Sequence, residues 1–372
     1  MSNVSRIEQA LCRATGRRFA VLVGNGTTGL SLCLQALGAA GRPVVLPDAV
    51  CVNVPLAVLY AGALPVYAEV GLADMGIDPS RLAPALPGAA ALIAVHGHGS
   101  ICDLPALQAQ ADAAGCPLIE DACLAFGGRL GAAAGDRPAG SFGLASVLSF
   151  GAGKPLTLAH GGAVLTDDAP LARALRALDA ALPTFSAEAQ IHIDHLGRSH
   201  TRLYNAHFGV DLAAQVPAFR QLAMGARASV LHRYDPARAP ALWRALPTLA
   251  ERVAQRWEHL EALHQQISPW LGEGLQWLPP TPGAVPWRCN LLVEGEGHHA
   301  RHALMRALHA AGLHASSWHP PASVFLADRP ARHPVAERIG AQILNLWLDE
   351  TCTPAYQAAV QRVIAEHRPA FA

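Results

Sequence analysis

Through the first half of the chain, short apolar runs alternate with longer stretches whose apolar positions recur at helical spacing. Phe19–Val23, Pro43–Leu46, Leu64–Ala68, Ala91–Val95 and Pro117–Asp121 are brief, rich in aliphatic side chains and flanked by turn-forming residues, which predicts buried strands. Between them, Thr28–Ala39, Val52–Ala61, Ser80–Leu86 and Leu104–Ala114 read as helices. The runs ASVLSF (145–150) and GGAVLT (161–166) add two strands, and Pro170–Ala181 adds a helix. Strands alternating with helices predict an α/β fold with a mainly parallel, seven-stranded sheet between helices.

From about Asp235 the pattern changes. A long amphipathic stretch, Leu249–Ile267, leads to the Pro/Gly-rich LPPTPGAVP. A strand (WRCNLLVE), a helix (Ala300–Ala311), another apolar run (AQILNLWL) and a last helix (Pro354–Glu366) follow. The expected organisation is a large unit over 1–235 and a smaller C-terminal α+β unit over 236–372.

Charge removes several classes of partner. The chain has 28 cationic and 28 acidic residues, a balance that offers no attraction to nucleic acid or to an anionic membrane. The longest apolar run, Cys51–Ala68, is interrupted by Pro55, Gly62 and Pro65, so it reads as a buried helix followed by a strand. A membrane span needs roughly 20 uninterrupted apolar residues. The N-terminal residues show no charged-then-apolar leader, and the eight cysteines are scattered through apolar segments without ligand spacing. A cytoplasmic protein with reduced thiols is the expectation. The histidine groups VHGHG (His96, His98) and GHHARH (His298, His299, His302) lack a third ligand at useful spacing, so no metal is expected.

Three features carry chemistry. The first, VLVGNGTTGL, spells G-x-G-x-x-G at Gly24, Gly26 and Gly29, between a strand and a helix. With Asp48 closing the next strand it suggests a nicotinamide dinucleotide; a tight packing turn explains it equally well. A third reading needs only an anion, because amides at a helix N-terminus bind any phosphate and Thr27 and Thr28 add hydroxyls. The second feature is LIEDACLAFGG, where Asp121 ends a strand and alternation turns Glu120 to the opposite face; a helix cap is the plainer reading. The third is Lys154. Every other cationic residue, 27 in all, is arginine. Arginine replaces lysine as surface charge, but only an amine sheds its proton and condenses with a carbonyl.

Together these parts match pyridoxal 5'-phosphate: a phosphate site, a carboxylate for the pyridine nitrogen and an imine-forming lysine. Ser149, five residues before the lysine, offers another hydroxyl. A nicotinamide enzyme needs no such lysine.

At this point the chain resembles the DegT/DnrJ/EryC1/StrS family, sugar aminotransferases of the pyridoxal-phosphate fold type I. The resemblance is carried by GNGTTGL, by VLPDAVCVNVPLAVLYAGALPVYAEV, by ALIAVHGHGSICDLPAL, by LIEDACLAFGG and by LSFGAGKPLTLAHGGAVLTDD. It implies Lys154 as the Schiff-base lysine and proton shuttle, and Asp121 as partner of the pyridine nitrogen. Thr27, an amide of Gly26 or Thr28, and Ser149 would hold the phosphate. The implied reaction moves an amino group from an amino acid to a keto-sugar or other small ketone. A homodimer with shared sites is implied as well.

The departures fall around that centre. Cys51 stands where the family places an aromatic ring against the cofactor, Leu124 replaces a glutamine, and Phe126 replaces a histidine and offers apolar contact. His160 replaces a glutamate, Ala322 a histidine. His160, Asn205 and Trp318 are the candidates for substrate or partner-chain contacts. A changed shell around an unchanged cofactor centre keeps a second reading open: elimination, replacement or carbon-centred chemistry on an amino-acid-derived substrate. A cofactor-bound regulator and a nicotinamide enzyme stand behind it.

Overall fold

The computed structural model describes residues 2–158, 160–206, 212–295 and 298–367. Seven strands form the larger sheet: β1 (Phe19–Val23), β2 (Pro43–Pro47), β3 (Leu64–Ala68), β4 (Ala91–Val95), β5 (Leu118–Asp121), β6 (Ala145–Ser149) and β7 (Gly162–Thr166). Their order is β1-β7-β6-β5-β4-β2-β3. Strands β2 to β6 pair in parallel, and β7 runs antiparallel to both β1 and β6. Each strand lies within one residue of an apolar run of the sequence.

The runs are mainly apolar because both faces of the sheet are covered, the edge strand β3 being the partly exposed one. Ala20 and Leu22 of β1 join Ile7 and Leu11 of the helix Asn3–Thr15 on one face. Val21 and Val23 join Leu30 and Leu34 of the helix Gly26–Ala36 on the other. The same alternation separates Leu118 from Ile119 in β5 and, continued, sends Glu120 and Asp121 to opposite faces. Glu120 is fully buried and accepts hydrogen bonds from the amides of Gly140 (2.8 Å) and Phe142 (2.7 Å) and from His96 Nε2 (3.0 Å).

A second, antiparallel sheet contains β8 (Leu275–Leu278), β9 (Arg288–Val293), β10 (Ala315–Ser316) and β11 (Ile343–Trp347), in the order β10-β11-β9-β8. Helices Leu249–Ile267, His299–Ala310 and Pro354–His367 pack their apolar stripes on it, through Leu263, Leu304 and Val360 among others. The chain past the expected border at 235 does not leave the larger sheet at once. Ala239 and Leu242, on the helix Ala239–Ala245, share a core with Ile7 and Leu11. Phe325 also returns to the first unit, stacking on Tyr204 with ring centroids 5.2 Å apart.

Two buried carboxylates tie the units together. Asp48, just past β2, accepts the Ser323 amide (2.8 Å), the Ser323 hydroxyl (2.7 Å) and His333 Nδ1 (2.7 Å). Glu69 accepts the amides of Val335 and Ala336, both at 3.1 Å, at the start of the helix Pro334–Gln342, where the helix dipole favours negative charge. Asp48 is thereby committed to structure, so it is not the ribose-binding acid that the dinucleotide reading required. The eight cysteines are all free. Among the described residues, no helix is long and apolar enough to cross a membrane.

Candidate active site

A cavity of about 1110 Å³ opens at the carboxyl ends of β1, β4, β5 and β6 and reaches to the second sheet. Open α/β sheets form such crevices where the loops after neighbouring strands diverge. Gly26, Thr27, Ser149, Asp121 and Lys154 all line it, as do Cys51, Leu124, His160 and Trp318. Residues spread from position 26 to position 318 thus meet around one space.

Its anion-binding end is the start of the helix Gly26–Ala36. Asn25 caps this helix: its Oδ1 accepts the Thr28 amide at 2.8 Å, and its Nδ2 donates to the Val230 carbonyl at 2.8 Å. The Thr28 hydroxyl donates to the same carbonyl at 3.1 Å, and the residue is fully buried. Thr28 therefore lies outside the cavity with both of its donors engaged, which corrects its expected place in the phosphate site. A helix N-terminus leaves its first amides without acceptors, so those of Gly26 and Thr27 remain, with the hydroxyls of Thr27 and Ser149 beside them.

Close packing fixes that end. A Cβ on Gly26 would come 3.0 Å from Cys123 Sγ and 3.1 Å from Ser149 Cβ. One on Gly162, the first residue of β7, would sit 2.7 Å from the Asn25 carbonyl carbon and 2.9 Å from the Gly26 nitrogen. Only glycine lets β7 pass so near the loop.

Asp121 is 5% exposed, and its Oδ1 accepts the Cys123 amide at 3.0 Å. Lys154 is half-buried in the turn after β6. Its own carbonyl accepts the Thr157 hydroxyl at 2.9 Å and Arg256 Nη2 at 3.1 Å, so the main chain is anchored while the side chain faces the cavity. Burial pushes the Cys51 thiol up, and the positive charge of Lys154 opposes this only in part. Burial, reinforced by the Asp121 carboxylate, raises Cys123 well above the ordinary thiol range. Both sulfurs are thiols at neutral pH and act as small apolar packing groups.

Several wall residues were not singled out by sequence reasoning: Cys123, His200, His232, Trp287, His319 and the exposed pair Arg198 and Arg202. His98 was noted only as half of a possible metal pair. In fact His96 Nε2 bonds Glu120, whereas His98 Nε2 bonds the Trp318 carbonyl at 2.7 Å. Burial pulls His98 and His200 down to about 4 and His319 well below its usual value. All three imidazoles are neutral at neutral pH. His160 is held down by burial too, and its ring lies 4.7 Å from that of Phe185.

One further expectation changes. Phe126 is not a cavity residue; it is buried in the core with Phe150, ring centroids 6.5 Å apart. Ala322 is fully buried, its amide donating to the Asp48 carbonyl at 2.8 Å. Asn205 belongs to the helix Ala187–Ala206, and its side chain lies outside the described residues.

A family model, the DegT/DnrJ/EryC1/StrS aminotransferase family, matches residues 2–366. Among solved structures, the aminotransferase TlmJ from Streptoalloteichus hindustanus is similar at 23% identity with a TM-score of 0.79, over 100% of this chain and 92% of that one. DesI, solved in the presence of its TDP-sugar product, is similar at 25% identity with a TM-score of 0.75, over 99% and 84%. NtdA from Bacillus subtilis, solved with bound PMP, is similar at 17% identity with a TM-score of 0.75, over 99% and 78%.

Proposed function

The chain belongs to the DegT/DnrJ/EryC1/StrS aminotransferase family, whose members depend on pyridoxal phosphate, and from that premise we propose how its residues divide the work. The reaction is transfer of an amino group from an amino acid to a keto-sugar or other small ketone in a biosynthetic route. The observation that carries this reading is the meeting of Lys154, Asp121 and the start of the helix Gly26–Ala36 in one cavity.

The donor set fits the cofactor. The Gly26 and Thr27 amides, with the Thr27 and Ser149 hydroxyls, hold its phosphate. Asp121, buried and oriented by the Cys123 amide, keeps the pyridine nitrogen protonated by its negative charge. Cys51 and Leu124, which line the cavity, would offer the ring apolar surface. Once bound, the cofactor supplies the electron sink that lets a substrate C–H bond ionise. Lys154 Nζ takes that proton from one carbon and returns it at another. Anchoring of the Lys154 main chain by Arg256 and Thr157 confines the amine to that task. Trp287, Trp318 and the neutral imidazoles form the remainder of the acceptor site.

The protein acts as a cytoplasmic homodimer in this reading, the partner chain completing each site. The exposed helix Ala187–Ala206 supports it: Gln190 and Ile193 line the cavity mouth, while Ile191 is 64% exposed beside them.

The test is spectroscopic. Glutamate or glutamine added to the pyridoxal-phosphate-loaded protein should convert its absorption to that of the pyridoxamine form, and Lys154→Ala should abolish the change. Indifference of the loaded wild type to every amino donor would overturn the assignment.

A further inference from the structure

His319, three residues past β10, lines the cavity and is 5% exposed. Three rings hold it. Trp287 lies nearly parallel, at 9° with centroids 5.9 Å apart, and Trp318 and His98 stand at 5.6 and 5.5 Å. Trp287 in turn borders the turn that carries Lys154: a Cβ built on Gly153 would meet its Nε1 at 3.6 Å. The imidazole is thereby fixed in relation to that turn. Lys154 is near enough that its charge adds to the burial that keeps His319 neutral.

The two ring nitrogens differ. Nδ1 is enclosed and has no hydrogen-bond partner. Among the described residues nothing bonds Nε2 either, but Nε2 is not enclosed, and it is the nitrogen that His319 presents to the cavity. A neutral imidazole carries one hydrogen. Buried N–H groups without an acceptor are rarer in proteins than buried acceptors without a donor, so the hydrogen sits on Nε2. The cavity thus receives one fixed, uncharged N–H on the side of the lysine turn. Its neighbours Trp287, Trp318 and the neutral His98 bring no positive charge to match a carboxylate. A carbonyl oxygen suits such a donor, because it only accepts and it gains negative charge when its carbon is attacked.

We propose that His319 is a further catalytic residue: its Nε2–H donates to the carbonyl oxygen of the ketone while that ketone takes up the amino group. The inference rests on the aminotransferase reading, which supplies the reaction. In this step the carbonyl carbon bonds to the amine nitrogen and the C=O pair moves to oxygen. That oxygen departs as water with the two hydrogens that the amine gives up, and His319 keeps its own proton. A neutral imidazole stabilises the developing charge without adding a cation beside Lys154. Both ketones of a transamination are aminated beside the same lysine, so one donor serves both.

The probe is the keto acid of whichever donor converts the cofactor, 2-oxoglutarate for glutamate or 2-oxoglutaramate for glutamine. It is mixed with pyridoxamine-phosphate-loaded protein, and the return of the pyridoxal absorption is timed. His319→Phe keeps a flat ring against Trp287 and removes the N–H; its rate at saturation should fall about 10²–10³-fold, with the half-saturating concentration changed much less. His319→Gln sets an amide N–H near the Nε2 position and should stay within about tenfold of wild type. A purely structural His319 predicts the reverse order of the two variants.

A second measurement needs no turnover and stands even if neither variant folds. In wild-type protein labelled at the histidine nitrogens and loaded with pyridoxal phosphate, the His319 ring should show a protonated Nε2 and an unprotonated Nδ1. The Nε2–H signal should move on adding the keto acid and not on adding the same acid with a methylene in place of its carbonyl. A protonated Nδ1, an Nε2–H signal indifferent to the keto acid, or a saturated rate in His319→Phe equal to wild type would overturn the proposal. Failure of the aminotransferase reading appears separately, as a cofactor band that no amino donor converts.

Discussion

Arg256 donates to the main-chain carbonyl of Lys154 at 3.1 Å and to that of Pro286 at 3.3 Å. One guanidinium on the long helix Leu249–Ile267 therefore joins the lysine turn to the segment entering β9. Replacing it with leucine leaves the Pro286 carbonyl without this donor, at about 1–3 kcal/mol, and leaves the Lys154 carbonyl only the Thr157 hydroxyl. Arg256→Leu should lower the melting temperature by several degrees and weaken turnover, while the protein still takes up cofactor.

Lys154→Arg should fail as completely as Lys154→Ala, since a guanidinium does not shed its proton near neutral pH. Each should lose about 10²–10⁴-fold in rate, the usual scale for a positioned proton-transfer group. Borohydride treatment should fix cofactor to the wild type and to neither variant, as intact-mass measurement would show.

Asp121→Asn keeps the shape of the side chain and removes its charge. The expected result is a loss of roughly 10²–10³-fold in kcat, comparable to deleting one electrostatic stabiliser. KM for the amino donor should change much less. Equal losses in both parameters would point to a disordered site.

Gly162→Ala introduces a methyl group into space bounded by Asn25 and Gly26. Overpacking of this kind costs about 1–3 kcal/mol, which falls on the phosphate loop. Cofactor dissociation, followed by absorbance during dilution, should accelerate, with affinity down about tenfold to a hundredfold.

His333 donates to Asp48, and that hydrogen bond raises its pKa above the ordinary histidine value, with burial opposing. A folded-state value above the unfolded one means that protonated His333 stabilises the fold. The contribution is complete below about pH 6.5 and is lost as pH rises through the folded value. Urea midpoints should fall from about pH 6 to pH 9, and His333→Gln should flatten that part of the profile.

The sequence revealed most where the signal was local. Apart from the edge strand β3, where Leu64 is exposed, the strands of the large sheet are buried on both faces and therefore mainly apolar, so their limits were readable to within a residue. Gly26, Thr27, Asp121, Ser149 and Lys154 lie at or just past the ends of β1, β5 and β6, and strand topology brings them together. The short strands β8 and β10 were not read, since two to four residues near prolines and glycines carry little periodicity; the helix Asn3–Thr15 was not read either, its buried side being only Ile7, Leu11 and Thr15 in a largely polar stretch. Thr28 was misplaced because its partner, the Val230 carbonyl, lies some 200 residues away along the chain. His98, Trp287 and His319 share the cavity only through the packing of the second sheet on the first, which no spacing encodes.

The backward strand β7 has an evolutionary consequence. Gly162 pairs with Val23 on one side and Ser149 on the other, so a single hairpin dictates how far the amine stands from the anion pocket. Any insertion or deletion there would separate the two halves of the chemistry at once. The facing wall, made of helix side chains such as Arg198 and Arg202 and of Trp318, is under no such register. New specificities can be grafted onto that wall one side chain at a time, and engineering should begin there.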